Sequence, residues 1–133
     1  MKKNILLFVL TLATLVSFAQ KESRDAAILK LMNVKRGMAS VNALPDNMAK
    51  NMDNQKAASF KAEMAVFKEE LIRAALSKFK ADYTAKEIDF IYAECTSDKI
   101  DYTDLTNGFF RKWRHLKSKM YFSKSKQTYF KYQ

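Results

Sequence analysis

The sequence has little of what breaks or braces a chain. Its 133 residues include two glycines, one proline, one cysteine and one histidine. So few Gly and Pro argue against a turn-rich β-sandwich or barrel and against any collagen-like repeat. A lone cysteine, Cys95, excludes an intrachain disulfide framework and an all-thiolate metal centre. A lone histidine, His115, excludes a multi-histidine centre. No glycine-rich phosphate loop and no internal repeat is present. What the chain does have is apolar and basic. Hydrophobic residues make up 48%, enough for a buried core. Lysine and arginine number 24 against 14 acids, a formal charge of +10. The length predicts one domain.

Residues 1–19 read as a secretory signal peptide. Lys2 and Lys3 supply a basic start, Ile5 to Val16 is apolar and uncharged, and Ser17 and Ala19 place small residues at −3 and −1. The apolar stretch is shorter than the roughly 20 residues needed to span a bilayer. Cleavage is therefore expected before Gln20, leaving no transmembrane segment. No cysteine near Ala19 could accept a lipid. The expected location is periplasmic or secreted, in a bacterium.

The remaining chain predicts an all-α fold, a small bundle of four to five helices at residues 20–122 with a basic, aromatic tail at 123–133. A first helix is expected over Ser23–Leu44, its apolar face carrying Ile28, Leu31, Met32, Met38, Val41 and Leu44. Gly37 weakens it by about 1 kcal/mol, and Pro45 is expected to end it. Asp46 to Asn54 reads as a short polar segment with a capping turn. Gln55 to Asp82 carries Phe60, Met64, Phe67, Leu71, Ala75 and Phe79 at steps of three and four, a long amphipathic helix of about 40 Å. Thr84 with Glu87 forms a capping box for the next helix, whose apolar face holds Ile88, Ile91, Tyr92 and Cys95. Thr103 or Asp104 starts a further helix with Leu105, Phe109, Trp113, Leu116 and Met120 on one face. From Ser123 the apolar period fails, and the chain is expected to be a frayed or extended tail.

Few residues offer chemistry. His115 stands among Arg111, Lys112, Arg114 and Lys117, a field that favours neutral imidazole and a surface role. Cys95 shares an apolar face and reads as a core thiol. Asp98, Asp101 and Asp104 lack the dense ligands, turn glycine and closing glutamate of a calcium loop and read as turn and cap residues. Met32, Met38 and Met64 fit helix faces as core, although thioethers outside the cytoplasm can bind copper. No catalytic, cofactor or metal site is expected.

The charge is unevenly placed. Gln20–Phe110 holds 14 basic and 14 acidic side chains. From Arg111 to Gln133 there are eight basic residues and no acid: Arg111, Lys112, Arg114, Lys117, Lys119, Lys124, Lys126 and Lys131. Trp113, Tyr121, Phe122, Tyr129, Phe130 and Tyr132 lie between them. Such a segment suits contact with an anionic surface, either a membrane, a polysaccharide or an acidic protein. Nucleic acid is disfavoured as a partner for an exported protein.

The Ile28-Leu29-Lys30-Leu31-Met32 run, the long amphipathic helix, and Tyr83-Thr84-Ala85-Lys86-Glu87-Ile88 followed by Ile91 and Ser97 stand in this order along the chain. Together they resemble domain-of-unknown-function family 2059, helical proteins exported by Gram-negative bacteria. Positions that read Phe-Tyr in the family are Glu94-Cys95 here. The resemblance implies an exported helical fold and no particular activity. The resulting expectation is a non-enzymatic, envelope-associated interaction module that contacts an anionic partner through its basic C-terminal segment. The alternative is a structural subunit, or a metal- or redox-handling protein using Cys95 or the methionines.

Overall fold

Two long antiparallel rods organise the chain. This is a computed structural model, and it describes residues 24–133. The leader expected at residues 1–19 and the start of the first helix at Ser23 lie outside the described residues. The secondary structure among the described residues is helical, with no strand, as expected for a small all-α bundle.

Helix α1 covers residues 24–32. The Arg24 guanidinium donates to the carbonyls of Lys80 at 2.7 Å and Tyr83 at 2.6 Å, which end the long central helix. Those carbonyls have no helical partner of their own. The continuous first helix expected over Ser23–Leu44 is broken. A 3₁₀ turn at Val34–Arg36 interrupts it, and Lys35 and Arg36 take left-handed conformations with φ of 55° and 59°.

Helix α2 then runs Ala39–Ala49 and carries Pro45 in its interior. The expectation that Pro45 ends the helix is therefore corrected, and Asp46 to Ala49 belong to α2 rather than to a separate segment. A proline inside a helix strands the carbonyl four residues back. Here that carbonyl is Val41, and it accepts a hydrogen bond from the Tyr121 hydroxyl at 2.8 Å. The tertiary bond replaces the local one.

Helix α3, Asn54–Asp82, is the spine at about 43 Å. The Asp53 side chain caps it by accepting from the Lys56 N–H at 2.9 Å. Phe60, Met64, Leu71, Ala75 and Phe79 are fully buried along one stripe. Helix α4, Ala85–Cys95, opens on the expected capping box. The Glu87 N–H donates to the Thr84 hydroxyl at 3.1 Å, and the Thr84 N–H donates to the Glu87 carboxylate at 2.9 Å.

Helix α5, Asp104–Lys117, passes into a π-helical turn at Ser118–Phe122 and on into α6, Ser123–Lys131. The three form one rod whose length matches that of α3. Residues 123–131, expected as a frayed or extended tail, are thus helical. The reason is a phase shift. The π turn adds the equivalent of roughly one residue to the helix, so a strict 3.6 period read through Met120 loses the inner face. Within and beyond the turn that face continues with Tyr121, Ser125 and Thr128, all buried. Two of the three are polar, which hides the stripe further. The Ser125 hydroxyl is satisfied by the Tyr121 carbonyl.

The core is centred between α3 and the rod, and α1, α2 and α4 add Ile28, Leu31, Val41, Ile88 and Ile91 to it. Trp113, Tyr121, Phe60, Phe79 and Phe109 are its largest fully buried side chains. Phe79 meets Phe109 at 4.4 Å between ring centroids and Trp113 edge-on at 6.4 Å. At the opposite end Phe60 meets Tyr129 and Tyr132 edge-on at 6.4 and 6.0 Å. Each such buried ring contributes about 1.5–3 kcal/mol. An aromatic cluster at each end clamps the C-terminal rod onto α3 along its length.

Candidate interaction surface

The eight cations between Arg111 and Lys131 do not form one surface. They divide according to the side of the rod on which each falls. Lys112 lies 3.2 Å from Asp82, Lys124 lies 3.2 Å from Glu70, and Lys131 lies 2.9 Å from Glu63. These pairs share one antiparallel register. The seven residues from Glu63 to Glu70 match the seven from Lys131 back to Lys124, and the twelve from Glu70 to Asp82 match the twelve from Lys124 to Lys112. Lys117 reaches a different partner, the Gly37 carbonyl at 2.9 Å, with its ammonium 5.0 Å above the Trp113 ring.

The electrostatics fit this division. The Tyr132 hydroxyl and then Lys131 hold the Glu63 carboxyl below its ordinary value. Lys112 and then Lys78 do the same for Asp82. Partial burial works against the charge on Lys112, but Asp82 and Tyr83 outweigh it and raise its pKa. Burial, helped by Arg114, lowers that of Lys117, whose partner is a neutral carbonyl. These four cations are engaged by partners within the molecule, although Lys131 itself is exposed.

Arg111, Arg114, Lys119 and Lys126 are exposed, and among the described residues none takes part in an ion pair. Arg111, His115 and Lys119 follow one another at steps of four, which places them on one helical face. After the π turn the same solvent side carries Lys126 and Phe130, again four apart and both exposed. No acidic residue follows Asp104. The outward side of the rod is therefore a cationic strip that ends in an aromatic ring.

The aromatics of this segment are mostly structural. Trp113 and Tyr121 are buried, Tyr129 and Tyr132 pack on Phe60, and Phe122 is half-buried. Phe130 differs, at 62% exposed.

The remaining candidates are dispersed. Cys95 is buried on α4, and burial raises the pKa of its thiol. His115 is exposed on α5. Asp98, Asp101 and Asp104 are exposed, and no three His, Cys, Asp or Glu among the described residues converge to hold a metal ion. Met32, Met38 and Met64 are core residues. Met48 and Met52 line an open groove of about 380 Å³ with Tyr129 and Tyr132.

Two features escaped the sequence reading. Glu94 is buried, and its carboxylate accepts from both the N–H and the hydroxyl of Thr103, the latter at 3.0 Å. Burial pushes its pKa up, but these bonds outweigh burial and hold it below the ordinary value. Thr103 is the N-cap residue of α5, yet its hydroxyl serves Glu94 rather than a helix N–H. The second feature is the acidic partner set Glu63, Glu70 and Asp82, whose spacing mirrors that of the lysines.

Among the described residues no helix is long and apolar enough to cross a membrane. No protein-family model matches the chain, and comparison with characterised proteins and with solved structures finds no significant match to either.

Proposed function

We propose that this chain is an exported, envelope-associated interaction module without enzymatic activity, and that it holds an anionic partner against the outward side of the α5–α6 rod. The contact residues are Arg111, Arg114, Lys119 and Lys126. Lys112, Lys117, Lys124 and Lys131, grouped with them by sequence, act instead as internal ties. The observation that carries this reading is the division itself. Where an acid is in register, a lysine is neutralised, and the outward cations are left together with no acid after Asp104 in the chain. Like charge held along one helical rod gives a strip of positive potential suited to an extended anionic surface. The leader-like residues 1–19 support export.

The test is a quadruple variant, Arg111→Gln, Arg114→Gln, Lys119→Gln and Lys126→Gln, assayed against anionic vesicles and soluble polyanions. Wild type should bind at least one of them, more weakly as salt rises, and the variant should lose that binding. Equal binding by the folded variant would sink the proposal.

A further inference from the structure

The rod's outward side ends in an apolar group, and this specifies its partner more closely. Phe130 is 62% exposed and stands one helical turn beyond Lys126 on the same side. Every other aromatic of the segment has found a place in or against the core. A phenyl ring left in water at the end of a cationic strip costs solvation that a purely ionic partner, such as a soluble polyanion, would not repay. A lipid surface repays it. Headgroup phosphates meet Arg111, Arg114, Lys119 and Lys126, while the ring enters the boundary between headgroups and acyl chains.

Resting on the anionic-surface reading above, we infer that the partner is an anionic phospholipid bilayer, on which the α5–α6 rod lies flat with Phe130 inserted. The geometry suits this. The strip runs along the rod from Arg111 to Phe130, with Arg111, Lys119, Lys126 and Phe130 following the outward side and Arg114 at its flank. Two ties keep it rigid on the inner side, Lys124 to Glu70 and Lys131 to Glu63, and they flank Lys126 and Phe130 in sequence. Binding therefore requires no refolding of the segment. The expected mode is reversible and peripheral.

The experiment uses the chain as recovered from producing cells, its N-terminus read by mass spectrometry, so that residues 1–23 contribute equally to every variant. Co-sedimentation is measured with vesicles of phosphatidylglycerol and phosphatidylcholine, with phosphatidylcholine vesicles, and with dextran sulfate as a soluble polyanion. The anionic vesicles should bind, and the neutral ones should bind far less. Each charge removed by Lys/Arg→Gln should weaken vesicle binding about fivefold. Phe130→Ala should weaken it about tenfold while leaving dextran sulfate binding unchanged. Circular dichroism confirms that the variants stay helical. Loss of both ligands to the same extent in Phe130→Ala, or no loss of either, would overturn insertion. Wild-type binding to dextran sulfate without binding to vesicles would overturn the lipid assignment and leave the anionic-surface reading standing. Binding to neither would overturn both.

Discussion

The Tyr121 hydroxyl donates at 2.8 Å to the Val41 carbonyl, the group that Pro45 deprives of its helical N–H. Two neighbours of Tyr121 do similar work. Trp113 Nε1 donates at 3.2 Å to the Met32 carbonyl at the end of α1, and Lys117 Nζ donates to the Gly37 carbonyl within the break. Three donors spaced four residues apart along the C-terminal rod thus serve carbonyls at the end of α1, in the break and in the first turn of α2. Burial pushes the Tyr121 phenol up to about 12, so it remains a donor at neutral and mildly alkaline pH.

Tyr121→Phe should destabilise the protein by about 1–3 kcal/mol, because a buried carbonyl is left unpaired. Pro45→Ala restores a backbone N–H facing the same carbonyl. In the Pro45→Ala background the cost of Tyr121→Phe should fall by half or more. A double-mutant cycle from urea unfolding reads this coupling, and strictly additive effects would refute the exchange of partners.

Neighbouring residues in the break should respond in opposite directions. A Cβ on Gly37 would sit 2.1 Å from the Met32 carbonyl oxygen and 3.1 Å from Trp113 Nε1. Gly37→Ala should therefore cost about 1–3 kcal/mol or more and should disturb the near-ultraviolet dichroism of Trp113. Arg36 is exposed and left-handed, a conformation that glycine adopts freely. Arg36→Gly should raise stability by about 0.5–1 kcal/mol. Thermal melts of the two variants give the signs directly.

Acid should loosen the clamp between α3 and the rod. Glu63 and Asp82 have folded pKa values below their ordinary ones of 4.5 and 3.8. Their contribution is therefore present at neutral pH, above the unfolded values. It is lost as pH falls below about 4 and through the folded values, where the unfolded chain takes up protons more readily. The pairs are solvent-exposed, so each contributes modestly. Melting temperature recorded from pH 7 to pH 2 should fall on the acid side. The Glu63→Gln, Asp82→Asn double variant should start lower at pH 7 and show a shallower fall. A wild-type profile that is flat below pH 4 would contradict the assignment.

The readability of the sequence followed the range of the interactions. The capping turn before α3, the Thr84–Glu87 box and the buried stripe of α3 are local patterns, each decided within a few residues, and each was legible. Pro45 was misjudged because the group that rescues Val41 comes from Tyr121, remote in sequence. The helicity of residues 123–131 was hidden by the π turn, which shifts the phase of the period, and by Ser125 and Thr128 facing inward. Composition located the cationic segment, but the sorting of its charges depends on which of them face Glu63, Glu70 and Asp82. That requires the antiparallel register of α3 and the rod. The matched spacing of acids and lysines records this register in the sequence, and it becomes readable only once the two elements are known to pair.

Cys95 provides a last test, of the packing of α4. Its side chain is buried, and burial raises its thiol pKa despite the nearby Lys35 charge. The thiolate is the reactive form, so both access and ionisation are suppressed. Alkylation by iodoacetamide at pH 8 should be at least about a hundredfold slower in the native protein than in urea. Its rate should rise with urea in parallel with loss of helicity, because the thiol becomes accessible by opening of the bundle. A Cys95→Ala variant should bind the same vesicles as wild type, since the residue lies away from the cationic strip. Rapid native labelling would place the thiol at the surface. It would revive the redox reading that burial on α4 argues against.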